Sequence, residues 1–287
     1  MRSVSTFSIV ARDPETGDLG VATASKFLAV GAVVPYAEAG VGAVATQSYA
    51  NTTFGPRTIM ALRGGISLEL IHQAFAETDP QHAQRQYGLV DAHGHSFTFT
   101  GDACHPWAGG QCGENYAAQG NLLTGPEVIG ALVTTFQETT GPLAERLVAA
   151  LAAGDAAGGD KRGRQSAALL VVRQEGGYGG FNDRYLDLRV DDHAHPVEEL
   201  RRLLGLHRLL FERPKPEALL EIDAALAKRV QEGLVRAGYL ERAAETWDER
   251  AEAALQAFAG VENLEERLVE PGRIDPEVLA HLERVAR

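Results

Sequence analysis

The sequence predicts an α+β layered sandwich of antiparallel sheets covered by helices, followed by a small all-α module. Three observations carry this. The order of segments is hairpins, then two helices, then more strands, whereas a parallel βαβ wind alternates regularly. Short loops rich in proline, glycine and aspartate separate the early strands, as hairpins require. Beyond Glu212-Arg213-Pro214-Lys215-Pro216-Glu217 glycine becomes scarce and charge dense, which marks a linker and a second unit.

Residues 7–12 read as a strand and 19–25 as its partner. Between them, Asp13-Pro14-Glu15-Thr16-Gly17-Asp18 has hairpin-loop chemistry, with proline fixing φ and glycine accepting φ > 0. Apolar runs at 32–36 and 41–47 are two further strands, and 54–63 and 68–76 carry helical spacing. Residues 87–90 and 96–100 form a hairpin turning at Asp91-Ala92-His93-Gly94-His95, and 116–119 is a short strand. Helices are expected at 126–137 and 142–152, the second opening on proline at a first-turn position. Residues 165–173 and 185–190 read as strands joined by a wide glycine-rich loop at 176–183, and 197–211 as an amphipathic helix. The main domain is thus assigned to 1–212 and the helical module to 213–287, with helices at 219–237, 248–259 and 276–285. Leu226, Val230, Leu234, Tyr239, Leu255 and Phe258 form the expected core of that module. At about 70 residues such a unit is marginal alone, so packing on the main domain or a role in assembly is expected.

A hydrophobic content of 45% and a charged content of 23% are those of an ordinary globular protein. The net charge of -12 argues against nucleic-acid binding and against docking on anionic lipid. No apolar run reaches the ~18 residues of a membrane helix, and residues 1–10 have no signal-peptide h-region. A cytoplasmic protein is expected, with Cys104 and Cys112 as thiols.

Several long blocks carry a family resemblance: "TFSIVARDPETGDLGVATASKFLAVGAVVP", "GVGAVATQSYAN", "TGDACHPWAGG", "YAAQGNLLTG" and "GGDKRGRQSAALLVV". Over residues 6–211 the chain resembles the DUF1028 family, a bacterial family without an established activity, grouped with the N-terminal nucleophile (Ntn) hydrolases. The resemblance implies a four-layer αββα sandwich. The tail segments "RVQEGLVRAGYL", "WDERAEAALQAFAGVENLEERL" and "IDPEVLAHL" are similar to a peptidoglycan-binding-like module attached to some members.

An N-terminal threonine combines nucleophile and base, because its α-amine, with a pKa near ~8, accepts the hydroxyl proton. The resemblance implies Thr6 as nucleophile at the start of the first strand, with Lys26, at the end of the second, as electrostatic partner. Gln47, Ser48, Asn51, Gln119 and Asn121 stand at strand ends and are candidates for oxyanion and substrate contacts. Ser166 is a candidate to bond the α-amine, while Asp160, Arg162 and Arg164 are candidates to hold a charged substrate group. Cys104 and Trp107, from the family-like block, are further substrate-binding candidates. No metal and no cofactor are implied. Five residues precede Thr6, so its exposure requires self-cleavage at Ser5–Thr6 or a chain start later than Met1.

His93, His95, Cys104, His105 and Cys112 lie close in sequence but fit no standard zinc spacing, and read as surface histidines and two buried thiols. A catalytic Cys104 needs its pKa lowered by a neighbour such as His105. The function expected is amide hydrolysis on a small-molecule or peptide amide by a homo-oligomer. The rivals are a non-catalytic ligand- or partner-binding protein, and a protein that holds peptidoglycan fragments through its tail.

Overall fold

A computed structural model describes residues 3–286; Met1, Arg2 and Arg287 lie outside the described residues. The chain divides into two compact units, Met1–Leu204 and Gly205–Arg287.

In the first unit, β1 (Thr6–Arg12) and β2 (Leu19–Ser25) form the expected hairpin, in register from Thr6 opposite Ser25 to Arg12 opposite Leu19. Its loop is held by Asp13 Oδ1, which accepts from the Glu15 and Thr16 amides at 2.9 and 3.1 Å. A second hairpin is β3 (Pro35–Glu38) with β4 (Gly42–Ser48). The predicted strand at 32–36 is displaced, because residues Val30–Ala32 close a 3-10 turn and Pro35 opens β3. Helices α1 (Phe54–Arg63) and α2 (Leu68–Thr78) follow, then β5 (Arg85–Asp91) and β6 (Ser96–Thr100). Next come β7 (Gly109–Gly113) and β8 (Tyr116–Gly120), then α3 (Glu127–Glu138) and α4 (Leu143–Ala156). The unit closes with β9 (Ser166–Val172), β10 (Arg184–Val190) and the start of α5 (Pro196–Phe211).

Two antiparallel sheets result, in strand order β10-β9-β2-β1-β8-β7 and β3-β4-β5-β6. Alternation along β1 divides its side chains between two cores. Phe7, Ile9 and Ala11 join Leu132, Phe136 and Leu147 of α3 and α4 in one apolar cluster. Val10 joins Val21, Val34 and Ala45 in another, drawn from both sheets. Helices α1 and α2 cover the four-stranded sheet, where Phe54 stacks on Phe75 at 3.8 Å between ring centroids and both rings meet Tyr87 edge-on. Gly88, in the middle of β5, is required by packing: a Cβ there would lie 1.9 Å from Gln119 Oε1.

Under α2 the Tyr87 hydroxyl is bracketed by His72 Nδ1 at 2.7 Å and His82 Nε2 at 3.0 Å. Burial lowers both histidine pKa values and raises that of Tyr87. A depressed histidine pKa means the unfolded chain takes up protons first. Stability is therefore full above the unfolded value of ~6.5 and is lost as pH falls from there through the folded values. Melting curves from pH 7.5 to 5 are expected to show a falling Tm. A variant carrying His72→Gln and His82→Gln should flatten that decline; an unchanged slope would refute the assignment.

The second unit is helical. Its first expected helix, 219–237, starts later, because β11 (Leu220–Glu221) pairs with β12 (Arg273–Ile274) and Asp223 caps α6 (Ala224–Arg236) through the Leu226 amide at 2.8 Å. Asp248 caps α7 (Glu249–Glu262) and Asp275 caps α8 (Pro276–Val285) in the same way. Val230, Leu234, Leu255 and Phe258 are buried in its core, with Leu226 and Tyr239 packed against it. Arg267, buried, pairs with Asp275 and donates to the Leu209 and Arg208 carbonyls. Among the described residues no helix is long and apolar enough to cross a membrane.

Candidate active site

Thr6 opens β1 and shares the parity of Ser8 and Val10, so it faces the four-stranded sheet; it is fully buried. Its Oγ1 donates to the Val4 carbonyl at 2.8 Å, and its own carbonyl accepts from the Asn121 amide at 3.0 Å and Gln47 Nε2 at 3.2 Å. The peptide bond before it is held from the other side. The Ser5 carbonyl oxygen accepts from Ser25 Oγ at 2.5 Å and from Arg162 Nη2 at 3.0 Å. Asp160 fixes the Arg162 guanidinium in that position, with Nε to Oδ1 at 3.0 Å and Nη2 to Oδ2 at 2.6 Å. The Asp160 side chain is 1% exposed and also accepts from the Lys26 amide at 2.9 Å, which ties the end of β2 to the same carboxylate. A carbonyl oxygen between a hydroxyl and a cationic donor is polarised toward an oxyanion.

Ser3, Val4 and Ser5 fill the adjoining groove at the end of β4. Val4 forms an antiparallel bridge with Ser48, N to O at 2.6 Å one way and 3.0 Å the other. Ser48 takes φ of 65°, and Asn121 Oδ1 is buried without a hydrogen-bond partner. Behind this groove four fully buried amides link the sheets. Gln47 Nε2 donates to Gln86 Oε1 at 2.8 Å, Asn121 Nδ2 to the same oxygen at 2.8 Å, and Gln119 Nε2 to Ser8 Oγ at 2.7 Å. Ser8 in turn donates to Gln47 Oε1 at 2.6 Å. These bonds hold the start of β1 in one place.

The structure thus brings together Thr6, Gln47, Ser48, Gln119, Asn121, Asp160 and Arg162. Among the described residues, the other expected residues make no hydrogen bond to Thr6 or to the Ser5 carbonyl. Lys26 is exposed and its Nζ donates to the Arg164 carbonyl at 3.1 Å; no hydrogen bond joins it to Thr6 among the described residues. Arg164 itself grips Asp155, Nε to both carboxylate oxygens at 2.8 Å. Ser166, expected beside the α-amine, instead donates to the Phe27 carbonyl and accepts from the Val30 amide at 3.1 Å, because the turn after β2 needs both bonds. Asn51 donates to Asp79 Oδ2 at 3.1 Å and accepts from the Thr53 amide and hydroxyl, which orders the loop before α1. Trp107, half-buried, packs against the core beneath α3 and α4. Cys104 is buried, its Sγ on the Arg85 carbonyl at 3.4 Å, and burial pushes its thiol pKa up, opposite to what a nucleophile needs. Cys112, expected to be buried as well, is exposed on β7.

Two contributors were missed by sequence reasoning. Ser25 had a usable signal: counting the hairpin register outward from its loop pairs Thr6 with Ser25. Gln86 had none, since it lay outside the expected strand 87–90, which in the structure starts at Arg85. Ser5 was named as one side of the cleavable bond, but the two donors on its carbonyl were not.

The fold agrees with the comparisons to known proteins. Residues 6–200 match the model of a family of unknown function, DUF1028, and the chain belongs to that family. Residues 210–282 match a model described as "Putative peptidoglycan binding domain". The crystal structure of protein SPO2555 from Silicibacter pomeroyi, assigned to the same family, superimposes with a TM-score of 0.65 at 32% identity, covering 71% of this chain and 89% of that one. No curated protein matches the chain.

Proposed function

We propose that the first unit is a latent Ntn-type amidohydrolase on a four-layer αββα sandwich, activated when the Ser5–Thr6 bond breaks. The observation that carries this is the Ser5 carbonyl, held by Ser25 Oγ and Arg162 Nη2 next to the Thr6 hydroxyl. Attack of Thr6 Oγ1 on that carbonyl carbon forms a C–O bond and places negative charge on the oxygen the two donors hold. Collapse breaks the C–N bond, and the hydroxyl proton passes to the leaving nitrogen. Water then hydrolyses the Ser5 ester, releasing a carboxylate and leaving Thr6 with a free amine and hydroxyl. The same donors then serve an incoming amide, with the freed amine as base. Asn121 Oδ1, buried and unpartnered, is available to a bound substrate.

The second unit would bring this activity to glycan-linked peptides if it binds peptidoglycan. It has a groove of about 700 Å³ lined by Trp247, Glu252, Gln256 and Pro271, in which Trp247 Nε1 donates to Glu252 Oε2 at 2.8 Å. A second reading, a non-catalytic binding protein, is favoured by one observation: Thr6 is wholly buried in the intact chain.

The test is a chain that begins at Thr6, assayed against a panel of peptide and N-acyl amides. Turnover of at least one amide, with a loss of about 10³-fold or more in the corresponding Thr6→Ala chain, is the expected result. No turnover, or turnover indifferent to Thr6→Ala, leaves the binding reading in its place.

A further inference from the structure

We infer that the acyl-binding groove of the processed protein is the groove now filled by Ser3-Val4-Ser5. Its substrate is then an extended peptide amide, with a small residue before the scissile bond and a compact apolar residue one position earlier. This rests on the self-cleavage reading above, and the argument is one of chemical identity. The ester formed when Thr6 attacks Ser5 carries a Val4-Ser5 acyl group on Thr6 Oγ1. The ester formed from a substrate carries its acyl group on the same atom, with its carbonyl oxygen on the same Ser25 and Arg162 donors. The two acyl chains must leave that carbonyl in the same direction.

The groove states what it accepts. Ser5 is fully buried, so the first position is closed to a large side chain. Val4 is 5% exposed and belongs to the apolar cluster that includes Val30, Val34, Ala45 and Ala50. A charge at this second position would be buried without a partner. The backbone of that residue forms both bonds of the bridge to Ser48, so the ligand is an extended peptide and not a compact amide. The matched family region begins at Thr6, so the domain without this segment is the unit the family shares, and β1 stays paired to β2 and β8 when the segment leaves.

The experiment uses the chain beginning at Thr6, with the full chain as control, and two readouts. The first is calorimetric binding of acetyl-Ser-Val-Ser, acetyl-Ser-Asp-Ser and acetyl-Ser-Val-Phe. The second is hydrolysis of the aminomethylcoumarin amides of the same three peptides. Binding of the first peptide ~10-fold or more tighter than the other two, and absent from the full chain, is the expected result. Hydrolysis of amides with no such preference in either readout overturns the groove assignment and leaves the hydrolase reading standing. Preferential binding without any hydrolysis supports the groove and removes the hydrolase. Absence of both binding and preference overturns the inference.

Discussion

Replacing Arg162 with leucine should slow the loss of residues 1–5 by about 10²–10³-fold, the cost of removing one strong oxyanion donor. The guanidinium reaches the Ser5 oxygen at 3.0 Å and is the cationic member of the pair of donors on it. The fold should survive the change. The Arg162 side chain is 35% exposed, and Asp160 keeps the backbone amides of Lys26 and Arg162, at 2.9 Å each, as partners. Ser25→Ala removes the other donor and should act in the same direction. Because both groups serve one oxygen, the double variant should fall short of the product of the single effects. Intact mass followed over time reads all three rates. A rate unchanged in Arg162→Leu would show that the guanidinium only braces the Asp160 loop.

A second large effect is structural. Arg85→Ala should cost about 3–5 kcal/mol of stability, because it strips one partner from a buried ion pair. The two side chains are 6% and 7% exposed and meet Nε to Oδ2 at 2.8 Å. Arg85 also donates to the Tyr49 carbonyl at 2.5 Å and to Gln81 Oε1 at 2.9 Å, so the turn after β4 and the loop before β5 depend on it. Its hydrogen bonds hold the Asp79 carboxyl well below the usual carboxylate range. A depressed carboxylate pKa gives stability that is present above ~3.9 and lost as pH falls below it, a window separate from that of the histidines. Urea unfolding at pH 7 measures the loss, and a paired Asp79→Leu, Arg85→Met variant should recover much of it. A cost below about 1 kcal/mol in the single variant would mean that water enters the site and solvates Asp79.

Much of the mixed α/β architecture was legible, because its signals are local. The Asp13 to Asp18 loop announced the first hairpin, and the periodicity of α1, α2 and α8 placed those helices closely. Strand β7 was not legible: Gly109-Gly110-Gln111-Cys112-Gly113 has no β-branched residue, and glycine is required there because a Cβ on Gly110 would lie 2.6 Å from Thr98 Oγ1. The site was legible in part. Thr6, Gln47, Gln119, Asn121 and Arg162 converge, since strand ends meet where sheets are stacked. What sequence could not supply was direction. Lys26 and Ser25 are neighbours on a strand end, yet only the serine turns toward Ser5, while the lysine turns to Arg164.

The measurement that bears most directly on this account is the intact mass of the purified full-length chain, with N-terminal sequencing, followed through prolonged incubation. The account predicts a chain that comes to begin at Thr6, with Thr6→Ala retaining the residues before it. A wild-type chain that still begins at Met1 or Arg2 after that incubation would contradict it.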